Sequence, residues 1–174
     1  TGDDAIYTVS GNKAACFELT KAELFGAFNP AGLTASALES VSITSGSGTL
    51  FLTAVSEPVE ADGESEDGSA SSTTYQTVWR LADAPETELD EAKVQSLLSA
   101  LSGYVSAQVT NADPEAYGFD APLATVQAAT ADGTVTLRYA GNADGCWMMA
   151  EGDSSIYSVD LDTVQTLLLT ADQL

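Results

Sequence analysis

Apolar and polar residues alternate in short runs punctuated by turn residues, and this pattern limits the fold more than any other feature. Val41 and Ile43 alternate with Ser42 and Thr44, and Leu50 to Val55 returns after Ser45-Gly46-Ser47-Gly48. Tyr75, Thr77, Trp79 and Leu81 fall on one face of a later run. Successive side chains of a strand point to opposite faces, so a period of two marks a half-buried strand. Runs 123–130 and 134–140 flank Asp132-Gly133, a pair suited to the positive φ of a two-residue hairpin. In the second run Val135, Leu137 and Tyr139 share a face, with Arg138 on the other. Cys146–Ala150 and Ile156–Val159 predict another hairpin, and Ile6-Tyr7-Thr8-Val9 and 105–109 predict short strands.

Two stretches change to the helical period. Val94, Leu97, Leu98, Leu101 and Val105 form one apolar stripe, with Thr87 as the expected cap, Asp90 at the third helical position and Gly103 as the stop. Asp160 is expected to cap a final helix whose Leu161, Val164 and Leu168 face inward. Thr20-Lys21-Ala22-Glu23 has the form of a capping box ahead of Leu24, Phe25 and Phe28. Asn29-Pro30-Ala31-Gly32 would end that helix, and Thr34 to Ser40 reads as one more helical turn. The expected class is α+β: antiparallel sheet, in one or two related pieces, with helices packed on one face.

Residues 57–74 hold Pro58, Gly63, Gly68, several Ser and Thr, and acidic residues at 57, 60, 62, 64, 66 and 67. They read as a mobile acidic loop. A short repeat stands at the two ends. Gly2-Asp3-Asp4-Ala5-Ile6-Tyr7-Thr8-Val9 matches Gly152-Asp153-Ser154-Ser155-Ile156-Tyr157-Ser158-Val159 at five of eight positions. The expected division is therefore a partial first module, 1–74, and a second module, 75–174.

The chain of 174 residues carries 26 acidic and 5 basic side chains, a net charge of −21, and no histidine. Nucleic acids and anionic membrane surfaces need clustered cations, whereas Lys13, Lys21, Arg80, Lys93 and Arg138 are scattered singly. Without histidine there is no Ser-His-Asp or Cys-His mechanism and no imidazole metal site. The glycine-rich nucleotide cradles are missing as well. No run of about 18 apolar residues exists to cross a bilayer. The start at Thr1 rather than Met leaves room for an export signal or anchor upstream. Cys16 and Cys146 fit either one disulfide or two separate thiols.

A few residues stand out as candidates. Tyr117-Gly118-Phe119-Asp120-Ala121-Pro122 reads first as a structural turn, with Tyr117 and Phe119 plugging a core edge. Its functional alternative is a contact for a glycan or peptide. Asn142-Ala143-Asp144-Gly145 and Asp62 to Asp67 are oxygen-rich but depart from the EF-hand register. Arg138 is expected to form an ion pair. Trp79, Trp147, Met148 and Met149 are expected to pack in the core.

In order, Trp79-Arg80-Leu81, the Leu-rich stretch 88–102, the Tyr117–Pro122 turn, the strand pair 123–140 and the hairpin closing on Ile156-Tyr157-Ser158-Val159 resemble the bacterial family called domain of unknown function 4340. The likeness covers about 75–165, with 1–55 resembling the tail of a preceding copy. Phe119 stands where the family usually has Leu, and Cys146-Trp147-Met148 departs from its Tyr-rich strand. The resemblance implies an exported, membrane-tethered protein and carries over no catalytic residue. Together with the acidic surface, it leads to a non-catalytic interaction or assembly module of a bacterial cell-surface protein as the expected function. No cofactor, metal or catalytic residue is assigned. The expected partner is a protein or another cell-surface component. A carboxylate-based glycan hydrolase and a weak calcium-dependent binder are the alternatives.

Overall fold

In the computed structural model the alternating runs pair into a sheet of eight described strands. The residues described are 29–59, 74–103, 105, 108–109 and 112–174. The strands are β1 (Leu38–Ser45), β2 (Gly48–Val59), β3 (Thr74–Leu81), β4 (Gln108–Val109), β5 (Ala124–Thr130), β6 (Gly133–Asn142), β7 (Gly145–Ala150) and β8 (Ile156–Val159). Helix α1 spans Glu91–Leu101 and α2 spans Leu161–Leu167. The strand order is β3-β2-β1-β5-β6-β7-β8-β4, and every pair is antiparallel. Two meanders thus run outward from a shared centre, where β1 lies against β5.

The hairpin expected around Asp132-Gly133 forms with its loop one residue earlier: Thr130 pairs with Gly133, so Ala131 and Asp132 make the turn and Gly133 opens β6 at φ 138°. Other boundaries move. The turn expected over Thr34–Ser40 shrinks to a 3-10 turn at Ala35–Ala37, and β1 takes over at Leu38. Strand β2 continues past Val55 to Val59, so Glu57, Pro58 and Val59 pair with Gln76, Tyr75 and Thr74 rather than starting a loop. Pro58 is tolerated for a geometric reason. Ala82 N–H donates to Phe51 O at 2.9 Å, which makes Glu57–Gln76 a hydrogen-bonded pair and turns the Pro58 nitrogen away from β3. On that other side β1 reaches only to Thr53.

The α1 stripe is buried as its spacing requires, through Val94, Leu97, Leu98 and Leu101. Its cap is one turn later than expected. Asp90, not Thr87, is the N-cap, and its Oδ1 accepts from Ala92 N at 3.0 Å and Lys93 N at 3.3 Å. Thr87 belongs instead to a turn closed on Ala84 O. In α2 the inward residues are Val164 and Leu167, with Leu168 half-buried, while Leu161 is 58% exposed. The two helices touch each other. Their buried residues join Val41, Ile43, Leu52, Val126, Leu137 and Tyr157 in one apolar cluster. Burying such side chains supplies most of the folding free energy, at about 1.5–3 kcal/mol for each large one. A second, smaller cluster gathers Phe119, Ala140, Met149 and Ile156.

The expected strand Ile6–Val9, the Thr20 capping box, Cys16 and the acidic stretch 60–73 lie outside the described residues. Cys146 sits half-buried on β7.

Candidate functional site

A groove of about 540 Å³ lies between β3 and the approach to α1. Its sheet wall is Gln76 to Arg80, and its opposite wall is Glu88, Leu89, Glu91, Val94 and Gln95. Alternation on β3 sets Trp79 half-buried against the main core, while Tyr75 at the far end of the strand is 65% exposed. Arg80 reaches across to β2, where Nη2 donates to Glu57 Oε1 at 2.8 Å and Nε donates to the same oxygen at 3.2 Å. That hydrogen bond and the charge of Glu57 hold the guanidinium above its ordinary pKa, with Glu86 and Glu88 adding smaller attractions. The pair is partly solvated, so its contribution to stability is small. The groove therefore offers an apolar floor, an acidic rim and the backbone edge of a strand.

The expected Tyr117–Pro122 turn is built as a structural element. A 3-10 turn over Pro114–Tyr117 is capped by Asp113, whose Oδ1 accepts from Glu115 N. Gly118 follows at φ 85°, a conformation that favours glycine, and a Cβ there would lie 2.8 Å from Gly141 O. This close approach lets Phe119 bury itself, and Tyr117 meets Trp147 edge-to-face with ring centroids 4.8 Å apart. The neighbouring Asn142–Gly145 turn is occupied by its own hydrogen bonds. Asn142 Oδ1 accepts from Asp144 N, Gly145 N and Trp147 Nε1. Among the described residues no group of three or more carboxylate or thiol side chains comes together in the way a metal ion needs. Asp62 to Asp67 lies outside those residues.

Trp79 and Trp147 are half-buried rather than fully enclosed, and Met148 and Met149 are buried. Among the described residues the ion pair is at Arg80 rather than at Arg138. Tyr139 is buried, and desolvation holds its hydroxyl above the ordinary value of 10.0. Tyr157 is raised as well, first by burial and then by its hydrogen bond of 2.6 Å to Asp153 Oδ2. Sequence reasoning singled out Trp79 and Arg80 but missed the groove. The missing signal was Glu88-Leu89 standing across from β3, which depends on where α1 begins.

A family model described as Domain of unknown function (DUF4340) matches the chain twice, over residues 1–122 and 79–174. The chain belongs to the DUF4340 family. Both matches include α1 and the Tyr117–Pro122 turn, and the second begins at Trp79, near the end of β3. No curated protein and no solved structure matches the chain. Among the described residues no helix is long and apolar enough to cross a membrane.

Proposed function

We propose that this DUF4340 chain is a non-catalytic interaction or assembly module of a bacterial cell-surface protein, held outside the cytoplasm through a tether elsewhere in the protein. The observation that carries the reading is how the chain spends its buried space. Among the described residues every buried side chain is apolar or aromatic, and no polar or charged residue is buried. A carboxylate hydrolase needs a carboxyl group held protonated, usually by burial. Glu57, Glu88 and Glu91 share the groove, but each remains open to solvent or half-open.

Two related units built around one sheet support the same reading. With Val41 matched to Val126, Gly48 to Gly133 and Leu52 to Leu137, the β1–β5 pairing becomes self-complementary. Val41 faces Ala128, Ile43 faces Val126, and Ser42 faces its own counterpart Gln127. An isologous interface between two copies has the same property. The match extends further. Gly32 at φ 65° precedes buried Leu33, as Gly118 at φ 85° precedes buried Phe119. Asp90 with Val94-Gln95-Ser96-Leu97-Leu98 matches Asp160 with Val164-Gln165-Thr166-Leu167-Leu168. The units run about 31–102 and 117–169, and the buried residues of both helices join the sheet in one apolar cluster. A duplicated scaffold of this kind presents surfaces to partners.

The test is made in a native host carrying the full-length gene. External protease on intact envelopes should remove the module, and cross-linking in the envelope should join it to a specific protein or surface polymer. Protection from protease, or glycan turnover that is lost when Glu88 and Glu91 become Gln, would overturn the reading.

A further inference from the structure

The two matched units finish their outer edges differently. In the second unit, Glu151 N–H donates to Thr136 O at 2.9 Å, so Cys146 and Met148 turn their backbone groups outward. Strand β8 takes them up, with Met148 opposite Tyr157 and Cys146 opposite Val159. The first unit repeats this arrangement as far as β3. Ala82 donates to Phe51 O at the same 2.9 Å, and Thr77 and Trp79 turn outward in the places of Cys146 and Met148. Among the described residues no strand pairs with that edge. The stretch after β3 contains Pro85 and runs irregularly to Leu89, which stands across the groove instead of closing it.

We infer that the β3 edge takes an extended segment of a partner protein, laid antiparallel to β3 in the place that β8 fills in the other unit. An open edge is a template for strand addition, with the main chain giving affinity and alternate side chains giving selectivity. The occupant's chemistry follows from the walls. Against Trp79 and Val94 it needs a large apolar or aromatic side chain placed like Tyr157, which β8 turns to the main core, while its neighbour, like Ile156, faces the other side of the sheet. Glu88 and Glu91 face it, while Arg80 is already engaged with Glu57, so the segment carries flanking lysine or arginine. The same charge argues against a second copy of this chain, at −21 each. This inference rests on the interaction reading above and names its surface.

The test uses the whole 174-residue chain with Trp147→Phe, leaving Trp79 as the fluorescent reporter. The probe is the synthetic peptide Lys-Thr-Ile-Tyr-Ser-Val-Thr-Lys. It should give a saturable change in Trp79 emission, and a version flanked by glutamate should bind about tenfold more weakly or worse. Thr77→Pro removes an outward N–H while sparing the bonds to β2, and should abolish binding with the fold intact. If that variant fails to fold, N-methylation of the peptide at its tyrosine removes the equivalent contact from the other side. No saturable change, or undiminished binding after either block, overturns the inference. Binding gained only on deletion of residues 1–10 would give the edge to this chain itself, and self-association competed by the peptide would give it to a second copy. Either result overturns the partner assignment. If the peptide fails but the envelope cross-link is found, the edge is refuted and the interaction module is not.

Discussion

The outer edge of β3 and the outer edge of β7 begin alike and end differently. Both strands leave the sheet through a backbone bond of 2.9 Å to the preceding strand, Ala82 to Phe51 O and Glu151 to Thr136 O. Strand β7 is followed by a turn and then by β8, which covers it. Strand β3 is followed by a segment with Pro85 that leads into α1 without pairing. Among the described residues, similar strand hairpins end in one edge that is covered and one that is not, and a few residues in a single connection make the difference. The core beneath is unaffected, since Leu52 and Leu137 are equally buried.

That equality gives the largest expected effect. Leu52→Ala and Leu137→Ala should each destabilise the chain by about 2–5 kcal/mol, because both empty a fully buried site. Urea unfolding monitored by circular dichroism checks this, and a small cost at one site alone would break the correspondence between the units.

The next contrast is one of titration. Tyr139 in the second unit corresponds to Ala54 in the first, and burial raises the Tyr139 hydroxyl above its unfolded value. The folded chain then holds a proton that the unfolded chain releases. The associated stability is present below about pH 10 and is lost as pH rises, by up to about 1.4 kcal/mol per pH unit. Tyr139→Phe should flatten the alkaline limb of a stability–pH profile. An unchanged limb would assign the effect to Tyr157, which is raised in the same direction.

A smaller difference separates the helix caps. The Asp90 carboxylate accepts two amide hydrogen bonds, whereas Asp160 at the matching position makes no side-chain cap bond. Asp90→Ala should cost about 0.5–2 kcal/mol and Asp160→Ala less, as read from thermal unfolding.

These contrasts also mark what was legible in the sequence. The period of two located β1, β2, β3, β5 and β6, while β7 and β8 were legible as two apolar runs on either side of a turn and do not alternate in burial. Asp132-Gly133 marked the presence of a hairpin but placed its loop one residue late, because the pairing of Thr130 with Gly133 puts Ala131 and Asp132 in the turn. The α1 cap falls at Asp90 rather than Thr87 because both are good caps, and only the docked helix shows which side-chain oxygen meets free amides. The extension of β2 through Pro58 was hidden because a proline reads as a breaker unless its nitrogen is known to face away from the neighbouring strand. The groove was beyond sequence reasoning for a similar reason. It depends on which side of β3 stays unpaired, and pairing partners are not written into one strand. The central pairing of Ser42 with Gln127 joins strands far apart in the chain, and no local pattern in either strand specifies it.

Amide hydrogen exchange compares the two edges most directly. The outward N–H groups of Thr77 and Trp79 should exchange at close to the unprotected rate, while those of Cys146 and Met148, covered by β8, should be slowed toward the rate of global opening. Equal protection at all four amides would mean that β3 is already covered, and would contradict the open edge on which the proposed partner site depends.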